Sequence, residues 1–168
     1  MFVETVYHSL SKINIPKKTI IEILKLMSDI RSFDFEKELP KTIHLIYCDC
    51  SDRSIEDDPC DGYTCEFYPN TIFVDPESRY KELDIISHEL VHIFQKYRYL
   101  IFKDEYEDKY RDRWFEDMAF KLEPEIGKLL KDTYTIELIT DNTEEIEEFL
   151  TEIMVVDEID FDDLEDFK

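Results

Sequence analysis

Ile85-Ile86-Ser87-His88-Glu89-Leu90-Val91-His92-Ile93-Phe94 is the stretch around which the remaining sequence organises. Leu83, Ile86, Leu90, Ile93, Phe94 and Tyr97 recur at three- and four-residue steps, which predicts a long helix from about Arg79 to Phe102 with one apolar stripe. His88 and His92 fall beside that stripe, one turn apart, so both imidazoles can address a single ion. Neutral imidazole is a good ligand for Zn2+, and two of them need a third protein group and a water to complete a hydrolytic site. Glu89 follows the first histidine directly, where a carboxylate can reach that water without joining the metal. The chain holds four histidines, and at that composition chance produces His-Glu-x-x-His in roughly one such chain in a hundred. These residues point to metal-assisted hydrolysis of a peptide bond, with Glu89 as the base and His88 and His92 as ligands.

The third ligand has to come from another element. A second helix is expected from about Asp104 to Leu122, ended or kinked by Pro124. A short connection would make it an antiparallel neighbour of the first. Glu116 could then face back towards His92, and the small Ala119 one turn on would let the helices approach closely.

The rest of the chain reads as follows. Phe2, Val6, Leu10 and Ile13 stand at helical spacing, and Pro16 opens a stronger helix through Arg31 carrying Ile20, Ile23, Leu24 and Met27, so 1–31 reads as N-terminal helices. Residues 42–48 suit a buried strand and 49–62 an acidic loop. Thr64–Tyr68 and Thr71–Asp75 flank Pro69-Asn70, a hairpin pattern with its turn at that pair, and Thr71–Asp75 is the candidate strand for an incoming peptide to pair with. Residues 133–140 suit a last strand. Residues 143–155 suit an amphipathic helix capped by Asn142, with Glu145 three positions on.

His88-Glu89-Leu90-Val91-His92, followed by Phe94, Arg98, Glu116 and Ala119, resembles the glutamate-zincin metallopeptidases. Within them it is most similar to the mitochondrial intermembrane-space metallopeptidases that act in ATP-synthase assembly, which share the motif, an aromatic two places on, an Arg six places on and a Glu-x-x-Ala segment. The repressor-cleaving ImmA/IrrE-like peptidases share the motif-plus-glutamate arrangement. The likeness spans about Ile43–Glu123, and its firm part is 88–119. It implies an α+β fold: a compact zincin-like domain with a small mixed sheet packed on a long active-site helix, and a second helix bearing the glutamate. It also implies Zn2+ held by His88, His92 and Glu116, and peptidase activity, endopeptidase rather than exopeptidase. The acidic carboxyl end is foreign to these families, and their glycine-rich turn and the cysteines around their glutamate helix are missing. The boundaries that follow are 1–140 for the metallopeptidase domain and 141–168 for an acidic helix and tail.

Cys48, Cys50, Cys60 and Cys65 lie within eighteen residues. They read as a second, structural metal site, as two disulfides, or as thiols in a reducing compartment. The formal charge is −22; residues 141–168 contribute thirteen acids and one lysine, a net −12, which leaves −10 for the rest. Such a surface excludes direct binding to a nucleic-acid backbone and to anionic membranes, and favours a basic protein or peptide as substrate or partner. No apolar run reaches the roughly eighteen residues of a spanning helix or has signal-peptide form, so a soluble intracellular protein is expected. Alanine is nearly absent while Phe, Tyr, Ile, Asp and Glu abound, a bias that suits an AT-rich genome such as that of many viruses. The competing reading is a zincin-fold binding module, or an acidic inhibitor that mimics DNA, without peptidase activity.

Overall fold

The computed structural model describes residues 6–27, 42–50, 61–65, 67–78, 80–99 and 109–154, and for 96–99 and 109–115 the backbone alone. Among them five strands and four helices run in the order β1 (Tyr7–Asn14), α1 (Lys17–Leu26), β2 (Ile43–Cys48), β3 (Gly62–Cys65), β4 (Tyr68–Val74), α2 (Glu82–Tyr99), α3 (Lys109–Leu130), β5 (Thr135–Thr140) and α4 (Thr143–Ile153). The strands form one mixed sheet in the order β3-β4-β2-β1-β5, parallel between β2 and β4 and antiparallel elsewhere. The fold is α+β.

Side chains alternate across a strand, and here both faces are used. Ile13, Ile43, Leu45, Ile72 and Val74 face a core shared with Ile20, Ile23 and Leu24 of α1, Ile86, Leu90, Ile93 and Phe94 of α2, and Ala119, Ile126 and Leu130 of α3. Leu10, Ile46, Cys48 and Phe73 face the opposite way, against Ile146 and Leu150 of α4. The terminal helix is therefore a layer of the fold. Asn142 caps it, its Oδ1 accepting the Glu145 N–H at 3.2 Å, as the pattern at its start predicts.

Three elements differ from the sequence reading. Residues 7–14 are a strand between β2 and β5, not part of a helix. Leu10 and Ile13 lie on opposite faces of the sheet and both faces are covered, so buried apolar residues fall three apart and imitate helical spacing. The helix after Pro16 ends at Leu26 with Met27 as its cap; the stretch to Arg31 lies outside the described residues. The hairpin exists, but it turns between Cys65 and Tyr68. Pro69 and Asn70 lie inside β4, where Thr64 pairs with Ile72 and Cys65 with Tyr68. The extra residues bulge, and Asn70 adopts φ 55°. Helix α3 does not end at Pro124 but continues to Leu130. Pro124 is exposed, so the Phe120 carbonyl it leaves without a helical donor lies towards solvent, while Ala119, Ile126 and Leu130 anchor the other side.

The two glycines have opposite roles. A Cβ at Gly62 would come 2.5 Å from Ile85 Cγ2 and 2.9 Å from the Phe73 carbonyl oxygen, so only glycine lets β3 lie under α2. A Cβ at Gly127 would meet Ser87 Oγ at 3.6 Å, an ordinary contact. Gly127→Ala is expected to raise unfolding stability by about 0.5–1 kcal/mol, because alanine costs less helix entropy. Gly62→Ala should lower it by about 1–3 kcal/mol through overpacking. Urea denaturation of the two variants checks both signs.

Candidate metal centre

Helices α2 and α3 meet along a seam in which ascending residues of one face descending residues of the other: Ser87 with Gly127, His88 with Glu123, His92 with Glu116. The pair is antiparallel. Small side chains hold it close, Ala119 being fully buried in the seam. The stripe Ile86, Leu90, Ile93 and Phe94 is buried against the sheet and leaves His88 and His92 at its margin, each partly buried.

There the structure brings together His88, His92 and Glu116. Glu116 Oε2 lies 3.1 Å from His88 Nε2, its Oε1 lies 2.9 Å from His92 Nε2, and the two Nε2 atoms are 3.3 Å apart. Two ligands on a four-coordinate ion with bonds of about 2.0–2.1 Å stand about 3.3 Å from each other, which the two Nε2 atoms match, while Glu116 offers one oxygen to each ring. This is a His-His-Glu group that could hold a metal ion.

The outer face of each ring sharpens the point. His88 Nδ1 lies 3.2 Å from Glu123 Oε2, and His92 Nδ1 lies 2.9 Å from Gln95 Oε1. Both partners are acceptors, so in the neutral rings the proton sits on Nδ1 and the lone pair on Nε2. Two lone pairs and a carboxylate then converge on one point, an arrangement that only a cation or added protons make favourable. Burial works against protonating either ring. The hydrogen bond to Glu116 and the charge of Glu89 outweigh it, and both rings sit above the ordinary imidazole value. Burial likewise pushes Glu116 up, but its hydrogen bonds to both histidines hold it far below the usual carboxylate range.

Glu89 is buried, at 7% exposure, on the same helix turn as the ligands. Glu116 is half-exposed, and Phe120, 65% exposed, lies against the His88 ring at 4.6 Å between centroids, so the centre opens to solvent along α3. Glu123 and Gln95 are absent from the sequence reading. Their signal was the spacing: Glu123 is two turns beyond Glu116 on the same face, and Gln95 one turn beyond His92.

The other candidates lie elsewhere. Cys48 and Cys50 are buried beneath α4, the Cys50 thiol facing the Cys48 carbonyl at 3.6 Å, and Cys65 is half-buried at the end of β3. No disulfide joins these three, and among the described residues no metal-ligand group contains a cysteine; Cys60 lies outside them. The chain's other two histidines are also remote: His44 packs on Phe149 across the sheet from α2, and His8 is exposed on β1. Residues 71–74 belong to β4, which is paired on both edges, so an incoming peptide has no free edge there. Among the described residues no helix is long and apolar enough to cross a membrane. Comparison with known proteins finds no match among family models, curated sequences or solved structures.

Two outcomes follow. His88→Ala should abolish tight binding of a divalent ion, and Glu123→Ala should weaken it by about 10–100-fold through loss of ring orientation, as read by competition with a chromophoric chelator. The metal-free protein carries a distinct pH signature. Raised imidazoles contribute stability in full below their ordinary value of 6.5 and lose it as pH climbs through their higher folded values; Glu116 contributes above its ordinary 4.5 and loses it as pH falls. Thermal melts in chelator should therefore show these groups helping most between 4.5 and 6.5, with stability declining on the alkaline side. A melting temperature that climbs steadily from about pH 6 to about pH 9 contradicts the assignment.

Proposed function

We propose that this chain is a zinc-dependent peptidase of glutamate-zincin type. The observation that carries the reading is a three-ligand centre with a buried carboxylate, Glu89, adjacent to it in sequence and outside the ligand set. Two imidazole nitrogens and a carboxylate suit zinc, and three protein ligands leave a fourth position open, as hydrolytic sites require and structural sites do not.

Zinc bound there would supply Lewis acidity, bringing the pKa of a water to about 7 and polarising a carbonyl group. The protein supplies the remainder. His88, His92 and Glu116 would hold the ion, with Glu123 and Gln95 locking the two rings in the liganding tautomer. Glu89 leaves α2 about 100° around from His88, bordering the same space. It accepts a proton from the attacking water as the oxygen bonds to the scissile carbonyl carbon. It returns that proton to the departing amine nitrogen as the C–N bond breaks. The net charge of −22 supports basic peptides as the substrate class.

Glu89→Gln separates catalysis from metal binding. The variant should retain one metal ion and an unchanged melt while cleavage of a basic peptide library, followed by mass spectrometry, falls by about 10²–10⁴-fold. Undiminished cleavage removes Glu89 from its role as base. A wild-type protein that holds its ion and cleaves nothing is a binding module instead.

A further inference from the structure

Strand β5 ends the sheet opposite to β3, and its inner edge pairs with β1. Among the described residues no strand pairs with its outer edge, which leaves a row of backbone donors and acceptors facing outwards. Thr135 to Ile139 are all exposed, including Ile136 at 36%, Leu138 at 60% and Ile139 at 50%. The usual protections of a sheet edge, lysine and proline, are missing from Thr135-Ile-Glu-Leu-Ile-Thr140; a one-residue bulge at Ile139 remains.

The two faces of β5 differ in chemistry. Ile136 stands opposite Ile13 and Leu138 opposite Ser11, so both apolar side chains lie on the three-helix face. Glu137 stands opposite Lys12 and lies on the α4 face. Residues 132–145 carry five acids and no lysine or arginine, in a chain of net charge −22. A strand added here meets apolar surface on one face and negative charge on the other, alternating residue by residue.

We propose that the outer edge of β5 docks an extended segment of a partner protein in which lysine or arginine alternates with apolar residues, adding a sixth strand. Backbone pairing gives the affinity, and the alternation gives the selectivity. A second copy of this chain would bring the same five acids against their equals. Residues 155–168 carry seven acids and one lysine, and suit the edge no better. The proposal does not depend on the metal centre, which lies in the seam of α2 and α3.

The test uses the full chain, isotopically labelled, and a capped heptapeptide alternating lysine with valine. Its control has the same composition with the lysines and valines in two blocks. Amide hydrogen exchange is read along β5. The alternating peptide should slow exchange at every second β5 amide, the block peptide should not, and Leu138→Asp should weaken binding by about tenfold. Leu138 is exposed enough for that substitution to leave the core intact. Equal protection by the block peptide would mean general charge attraction and overturns the proposal. Protection already present in the free protein overturns it too: if concentration-dependent, a second copy is the occupant, and if independent of concentration, the chain covers its own edge.

Discussion

Three electron-rich side chains whose polar atoms approach to about 3 Å make the strongest single demand on this architecture. Two imidazole lone pairs and a carboxylate repel in the absence of positive charge, and with both rings partly buried solvent screens them incompletely. Their convergence has to be enforced by packing elsewhere. The enforcing groups are visible: the apolar stripe of α2 fixed on the sheet, Ala119 allowing α3 to close on it, and Ile126 and Leu130 seating α3 in the same core. Glu116 and Glu123 then arrive two turns apart on a helix whose axial position is already set. Glu116 meets the inner nitrogens and Glu123 the outer one of His88. Core packing therefore positions the polar centre, and a cation relieves the repulsion that packing imposes.

How much of this was legible depended on the range of the signal. The motif helix, the amphipathic α4 and its Asn142 cap are written in neighbours three or four residues apart, and each appears where local periodicity puts it. Glu116 was reachable through one long-range assumption, the antiparallel pairing of two adjacent helices. Strand β1 was not reachable, because its identity is conferred by β2 and β5, which lie far away in sequence, and burial on both faces disguises its alternation. Pro69-Asn70 and Pro124 illustrate a second failure. Both are genuine departures from ordinary backbone chemistry, but the sheet absorbs one as a bulge and the exposed side of a packed helix absorbs the other. A breaker signals strain at a point; surrounding contacts decide whether the element stops.

The second layer of ligands shows a related limit. Glu123 and Gln95 are ordinary surface residues by type, and acids are so common in this chain that one more attracts no notice. Their significance lies in which ring nitrogen they touch. By accepting from Nδ1 they favour the tautomer whose Nε2 lone pair is available to a metal ion, which a histidine pair alone does not ensure. Composition cannot carry that information, whereas helical phase does once Glu116 is placed.

Glu89 bears on whether the centre is proposed as catalytic or structural. A carboxylate at 7% exposure is costly to keep on a helix face, and an apolar residue there would extend the stripe of Leu90 and Ile93. It is not needed to complete the ligand set, since His88, His92 and Glu116 already converge without it. A closed structural site would gain more from a fourth ligand in the shell than from an acid buried beside it. An open centre that must take a proton from water and return it to an amine needs that acid, near the ion's open position and shielded from bulk solvent. Burial of Glu89 outside the ligand set thus suits the hydrolytic reading better than a closed structural one, which is the physical ground for proposing the former.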